Sequence, residues 1–397
     1  MILSYGFRVL KQVDKRLLWK ASYNLGWKAM QAINKYKKRL KKGELFPAFL
    51  MISVTNQCNL KCQGCWVSID NNSRGMSPET LNNIIESSKK KGSCFFGILG
   101  GEPIMYPHLI EVLEKHPDCY FQLFTNGTLL TDEVARKLRK LGNVSPLISI
   151  EGLEDVSDVR RGANRVYDRS MNGINACTQN KLLTGVATSV CKSNFQDLVS
   201  EEFVNKCIKK GVHYLWYYIY RPVGSNPCDE LALSEEEILK LREFIVNIRL
   251  KAPIMVIDTY WDDKGKALCP GAVGISHHIN SYGDIELCPP VQFALDNVND
   301  GKMLVETIEN STFLRGLRKD IPQKTQGCIL LDAPEALVEM IEKSGAYDSS
   351  KRESALKELK DMNKLPGHHI PDKEIPEKSW MYRFAKRNWF FGFGAYG

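Results

Sequence analysis

From residue 49 to residue 224 the sequence keeps returning to one unit: a short apolar run, a turn, then a helix-like stretch. The runs are FLMISVT (49–55), CFFGILGG (94–101), CYFQLFTNG (119–127), PLISIEG (146–152), GVATSVCK (185–192) and HYLWYYIYRPVG (213–224). They are apolar throughout rather than alternating, which suits a parallel sheet buried on both faces. Between them, SPETLNNIIESSKKKG (77–92) reads as a helix with Ser77 as N-cap, Pro78 at its first position and Gly92 past its end. TDEVARKLRKLG (131–142) reads as another, with Val134, Leu138 and Leu141 on one face. Six such units predict an α/β fold, a partial (β/α)6 barrel of the TIM type. Its functional loops should lie at the C-terminal ends of the strands.

The 397 residues hold more than this barrel. We expect a basic amphipathic arm over 1–46, the barrel over 47–230, a helical connection with a small cysteine-bearing domain over 231–362, and a Pro-rich linker with an aromatic basic tail over 363–397. Residues 1–42 carry twelve Lys and Arg against Asp14 alone, so that segment nets +11 and the rest of the chain −3. No run approaches the ~20 apolar residues of a spanning helix. The N-terminus also lacks the apolar stretch and cleavage site of a signal peptide. A cytoplasmic protein is expected, and in that compartment its 12 cysteines suit metal ligation or burial better than disulfides.

Three of those cysteines crowd into CNLKCQGCW: Cys58, Cys62 and Cys65, directly after the first strand. Zinc sites usually gather four ligands. An iron–sulfur cube held by three thiolates instead leaves one iron open. This triplet, followed by Trp66, resembles the signature of the radical S-adenosylmethionine (SAM) enzymes. The later strand ends extend the likeness over residues 48–224. Gly100, Gly101, Glu102 and Pro103 match the family's GGEP motif, FTNGTLL supplies Asn126, and SIEG supplies Ser149 and Glu151. Arg161-Gly162 resembles the RG pair that follows, with Arg160 adjacent, and TSVCKSN places Val190 where the family contacts adenine.

The resemblance implies a 4Fe–4S cluster on Cys58, Cys62 and Cys65, whose open iron chelates the SAM amine and carboxylate. It also implies an electron donor of the flavodoxin or ferredoxin type. The SAM would then be cleaved to a 5′-deoxyadenosyl radical that abstracts hydrogen. The glycines would let backbone approach the cofactor, Glu102 would accept from the SAM ammonium, and Arg161 would grip a carboxylate.

Farther on, Cys269 and Cys288 stand in CPGAVGISHHINSYGDIELC, with Cys328 in QGCILLDAP. This resembles the SPASM/Twitch extension of the same enzymes and implies an auxiliary 4Fe–4S cluster. His277, His278 and Asp332 are candidates for a fourth ligand. Cys94, Cys119, Cys177, Cys191 and Cys207 fall in strands or helices and read as core; Cys228 is unassigned.

The substrate is sought at the ends of the chain. Leu3, Phe7, Leu10, Leu17, Leu18, Leu25 and Ile33 recur at near-helical spacing, with Trp19, Trp27 and Tyr36 among lysines. Such a helix suits the surface of an anionic membrane. Packing on the barrel looked unrewarding for so much positive charge. The tail, with Trp380, Tyr382, Phe384, Trp389, Phe390, Phe391, Phe393 and Tyr396, suits either a membrane or the open end of the barrel. A peripheral membrane enzyme acting on a lipid, isoprenoid or other apolar substrate is expected. The alternatives are a peptide or protein maturase and a non-catalytic iron–sulfur protein, and the intact GGEP and SIEG stretches count against the last. Nucleic acid is not an expected partner.

Overall fold

The structure is a computed structural model, and it describes residues 2–73, 75–224, 226–301 and 303–389. The six expected strands are β1 (Phe49–Ser53), β2 (Phe95–Leu99), β3 (Tyr120–Thr125), β4 (Val144–Ser149), β5 (Gly185–Val190) and β6 (Tyr214–Ile219). A seventh, β7 (Met255–Ile257), follows the helix Glu235–Lys251. All seven pair in parallel and in chain order. The connecting helices begin and end where their capping residues stand. Ser77 accepts from the Thr80 amide ahead of Pro78–Lys90, and Thr131 and Gly142 bracket Asp132–Leu141.

The cysteine-bearing extension continues this sheet. Strand β8 (Ser276–Ile279) lies parallel to β1 along its other edge. Antiparallel β9 (Asp284–Cys288), β10 (Val291–Asn297) and β11 (Tyr347–Asp348) follow. The result is one open sheet of eleven strands with β11 and β7 at its ends.

Successive residues of each barrel strand face opposite ways. Leu50, Ile52, Phe96, Ile98, Phe121, Leu123, Val186 and Leu215 share a core with residues of the helices outside. On the other face Leu147, Ala187, Tyr214, Trp216 and Ile257 cluster, with Phe124 and Tyr218 against them. Small residues make room there: a Cβ at Gly97 would meet the Met51 sulfur at 2.5 Å, and one at Gly185 the Tyr214 ring at 2.2 Å.

The arm packs on the barrel, contrary to the charge argument. Helices Ile2–Gln12, Lys15–Lys20 and Ala29–Lys41, with a π-helical turn at Ala21–Lys28, cross the N-terminal ends of the strands. Leu17, Leu25, Ala29, Ile33 and Tyr36 are buried. The basic side chains find carbonyls rather than carboxylates. Arg16 donates to Lys140 O (3.0 Å) and Arg139 O (2.5 Å), and Lys20 to Leu141 O (2.7 Å), at the C-terminus of one helix. Arg8 donates to Val212 O (2.8 Å), and Lys28 to Asp118 O (2.8 Å). These oxygens carry the negative end of the helix dipole or lie in the turns just ahead of β6 and β3, so a nearly neutral body still attracts a cationic helix.

A second apolar stripe of the same arm stays exposed, comprising Leu3, Phe7, Leu10, Trp19, Tyr23 and Trp27. The described part of the tail also packs. In helix Trp380–Asn388, Lys386 donates to Asp258 (3.0 Å) beside Arg249 (2.6 Å) and Arg242 (3.3 Å), all buried. The β7 amide of Val256 donates to the Tyr382 hydroxyl oxygen at 2.8 Å. Phe390, Phe391, Phe393 and Tyr396 lie outside the described residues.

If the arm is part of the core, Ile33→Ala should lower stability by about 2–5 kcal/mol, as for other fully buried aliphatic truncations. Chemical denaturation measures this, and an effect below ~0.5 kcal/mol would mean the arm is not packed in solution.

Acid should also destabilise the fold. Burial holds His213 down to about 3, His277 to about 4 and His368 to about 3. The folded chain therefore binds fewer protons than the unfolded one below the ordinary histidine value. Stability is full above ~6.5 and falls as pH drops from there toward those lowered values, by up to about 1.4 kcal/mol per unit for each histidine. Denaturation midpoints should fall between pH 7 and pH 5, and His213→Gln should flatten that slope.

Candidate functional site

The loop after β1 carries Cys58, Cys62 and Cys65 to the C-terminal mouth of the barrel, and neighbouring strand ends grip its backbone. Gly101 N donates to Thr55 O (2.8 Å) and Glu102 N to Gln57 O (2.7 Å). Asn126 Nδ2 donates to Asn59 Oδ1 (2.9 Å), while Asn59 Nδ2 donates to Thr128 Oγ1 (2.8 Å). Gln63 N donates to Arg160 O (2.9 Å), and the Arg160 guanidinium returns a bond to Gln63 O (3.1 Å). Three glycines permit the approach. A Cβ on Gly101 would lie 2.2 Å from Gln57 O, on Gly162 2.2 Å from Lys61 O, and on Gly224 2.2 Å from Cys65 O.

Held this way, the three thiols come together: the charge of Cys62 acts on Cys58, and those of Cys62 and Cys58 both act on Cys65. Burial pushes the Cys58 thiol up to about 11 and that of Cys65 to about 12. The Arg161 guanidinium stands beside them, Nη1 at 3.7 Å from Cys62 Sγ. Its Nη2 pairs with Glu151 Oε1 (2.6 Å), and Glu151 Oε2 accepts from Ser189 N (3.0 Å). The buried Nε of Arg161 has no partner among the described residues. Three free thiols, a cation beside them and an unpaired buried donor suit an anionic iron–sulfur cluster and a carboxylate-bearing ligand.

The other expected residues are placed as follows. Glu102 is fully buried and turned into the chain, accepting from Thr125 Oγ1 (2.7 Å), Ile104 N (3.1 Å) and Asn126 N (2.7 Å). It thereby ties β2 to β3, and burial raises its pKa despite those bonds. Pro103 opens the turn Pro103–Met105, with Gly100 in an extended positive-φ conformation before it. Asn126 Oδ1 accepts from Thr128, so its side chain serves the cysteine loop. Ser149 ends β4 half-buried, and Val190 O is taken by Tyr220 N (2.9 Å). Trp66 packs edge-on against His278, centroids 5.4 Å apart.

The second triad also assembles. Burial pushes the Cys269 thiol up to about 11 and that of Cys288 higher still, with Cys328 adding to the rise at Cys269 and both Cys269 and Cys328 to that at Cys288. Cys269 and Cys328 stand at the starts of the turns Pro270–Val273 and Ile329–Asp332, and Cys288 ends β9. Arg221, which closes the last apolar run and carries no motif, reaches this triad with Nε 3.0 Å from Cys328 Sγ. Its position just past a barrel strand was the available signal.

The candidate fourth ligands are engaged elsewhere. His278 bonds Ser53 (2.8 Å) and Glu286 (2.6 Å), His277 Nδ1 lies 3.4 Å from Leu287 O, and Asp332 accepts from Thr325 (2.6 Å). No group of three or more His, Cys, Asp or Glu among the described residues closes on a single metal ion.

Residues 52–199 match the model of the radical SAM superfamily, so the chain carries a radical SAM domain. Members of that family are enzymes that use a 4Fe–4S cluster with SAM. The uncharacterized protein MJ0907 of Methanocaldococcus jannaschii is 29% identical over 63% of this chain and 88% of its own length. The sporulation killing factor maturation protein SkfB of Bacillus subtilis is 27% identical over 42% of this chain, which spans only 40% of that relative. Among solved structures, SuiB of Streptococcus suis bound to precursor peptide SuiA superposes with a TM-score of 0.60 at 18% identity. That match covers 72% of this chain and 70% of SuiB, and shows a shared fold.

Glu102→Gln tests the placement of that residue. Its amide nitrogen would face the Asn126 or Thr125 donor, and stability of the chain without SAM should fall by about 1–3 kcal/mol. An unchanged denaturation midpoint would mean that Glu102 does not hold β2 to β3.

Proposed function

We propose that the chain cleaves SAM reductively and removes a hydrogen atom from an apolar substrate bound in the barrel mouth. The observation that carries the substrate class is the ledge below the site, where Trp216 stacks on Tyr218 (5.3 Å, 11°) and Phe124 leans on Trp216 (6.1 Å) above Leu147. Such a surface binds by excluding water and offers few polar groups to a charged substrate.

Cys58, Cys62 and Cys65 hold a 4Fe–4S cluster, which with SAM and one electron from a flavodoxin- or ferredoxin-type donor supplies a 5′-deoxyadenosyl radical. Arg161, fixed by Glu151, holds positive charge against the thiolates. Trp66, Gly100, Gly101, Pro103, Asn126, Ser149 and Val190 shape the wall of the SAM pocket, and Glu102 positions the turn that bears Gly100, Gly101 and Pro103. Cys269, Cys288 and Cys328 hold an auxiliary cluster, with Arg221 offsetting its charge. No helix among the described residues is long and apolar enough to cross a membrane. The exposed arm stripe supports attachment to a membrane surface instead, with Trp19, Tyr23 and Trp27 at the level of the headgroups.

A second reading is a peptide maturase, favoured by the 27% identity to SkfB, a maturation protein by name.

After anaerobic reconstitution the chain should hold about eight irons, and Cys62→Ala about four with no 5′-deoxyadenosine released from SAM. Four irons in the unmodified chain would remove the auxiliary cluster, and an active Cys62→Ala would remove the site. Mass spectrometry of lipid and peptide fractions from cells with the intact or Cys62→Ala chain then separates the substrates. A mass change confined to peptides overturns the apolar reading.

A further inference from the structure

At the opposite end of the barrel, between its floor and the arm, lies a cavity of about 370 Å³ that the radical chemistry does not use. Val9, Leu18, Leu25, Phe95, Met255 and Trp389 are among its walls. A second cavity of about 280 Å³ shares Gly26, Met255, Ile257 and Trp389 with it and runs out between Met30 and the tail helix to the half-exposed Phe384. Both volumes are of the size of ligand pockets or just below it. The arm is π-helical over Ala21–Lys28, a form frequent at functional sites, and Ala21, Ser22 and Gly26 of that turn leave the space open.

The lining also includes the polar side chains of Tyr5, Ser22, Tyr120, Gln122, Ser145 and Tyr214, and Gln122 stands out among them. Gln122 is 3% exposed, and its Oε1 has no partner among the described residues. The neighbouring bonds fix its orientation. Leu183 O can only accept, so Ser145 Oγ donates to it (2.6 Å). Tyr214 then donates to Ser145 (2.7 Å), and Gln122 must turn its NH2 to Tyr214 (3.3 Å). The carbonyl oxygen is left facing the cavity.

We propose that this cavity is a binding site for an amphiphile from the membrane. Its aliphatic or prenyl chain lies along the seam of arm and tail, and its single hydroxyl donates to Gln122 Oε1. The exposed row Trp19, Tyr23, Trp27 with Trp380 and Phe384 marks the side from which it enters, and the lysines of the arm match anionic headgroups there. This goes beyond the reading above. Binding is measured without cluster or SAM, so its failure leaves the radical chemistry standing.

The test is equilibrium dialysis of the full chain against farnesol, 1-dodecanol and, as the form without a hydroxyl, farnesene. Farnesol or dodecanol should bind about tenfold tighter than farnesene, roughly the worth of one buried hydrogen bond. A preference between the two alcohols distinguishes a prenyl from an alkyl chain. Gln122→Leu should erase the advantage of the alcohols while leaving farnesene binding unchanged. Gly26→Phe should abolish binding of all three, and a Cβ there meets only Ala21 O at 3.9 Å, so the melting temperature should hold. Equal binding of alcohol and hydrocarbon overturns the role of Gln122. No binding to the full chain, or binding that emerges only when residues 390–397 are removed, overturns the site.

Discussion

A loop that offers three bare thiols to a cluster must satisfy its own backbone elsewhere, and this structure does so by pressing it against three other backbones. Gly101, Gly162 and Gly224 each lie where a β-carbon would overlap a carbonyl of the cysteine loop. Every other placement at the mouth follows from that contact. Glu102 is turned inward because its backbone must present Gly101 to Gln57. Arg160 is drawn onto the loop because the amide and carbonyl of Gln63 need partners close by, and Asn126 holds it through the Asn59 side chain. The motif residues hold the thiols first, and only through them a cofactor.

This explains what was legible in the sequence. The periodicity of apolar runs disclosed β1 to β6, and the motifs disclosed which strand ends meet, because both are local or nearly so. What stayed hidden was which way a motif side chain turns. GGEP names a glutamate at a strand end, but only the fold shows Thr125, Ile104 and Asn126 surrounding it. Arg221 was missed for the same reason, since its partner Cys328 lies more than a hundred residues away. Strand β8 joins β1 across a gap about twice as long, and no pattern within either strand announces the pairing.

The arm was misjudged for a different reason. Net charge was compared with net charge, and the body had little to offer. The relevant quantities are local: carbonyls at the ends of helices and in the turns ahead of strands, each accepting from one lysine or arginine. A helix with two apolar stripes can satisfy both expectations together. One stripe, with Leu17, Ile33 and Tyr36, closes the barrel floor, while the other, with Phe7, Trp19 and Trp27, remains outside.

The two cysteine triads are likewise parts of one arrangement. Beyond β6 the chain places Arg221 against Cys328 and, three residues on, Gly224 against the carbonyl of Cys65. Arg221 is also fixed from behind, donating to Ile219 O (3.0 Å) and lying over the Tyr260 ring (5.3 Å). A segment so constrained at both ends cannot shift at one triad without moving the other. The sheet adds a second tie, because β8 links β1, which launches the first triad, to β9, which ends in Cys288. The extension is thus held to the barrel by strand pairing and by a packed loop, so the spacing between the triads is set by backbone rather than by a flexible linker.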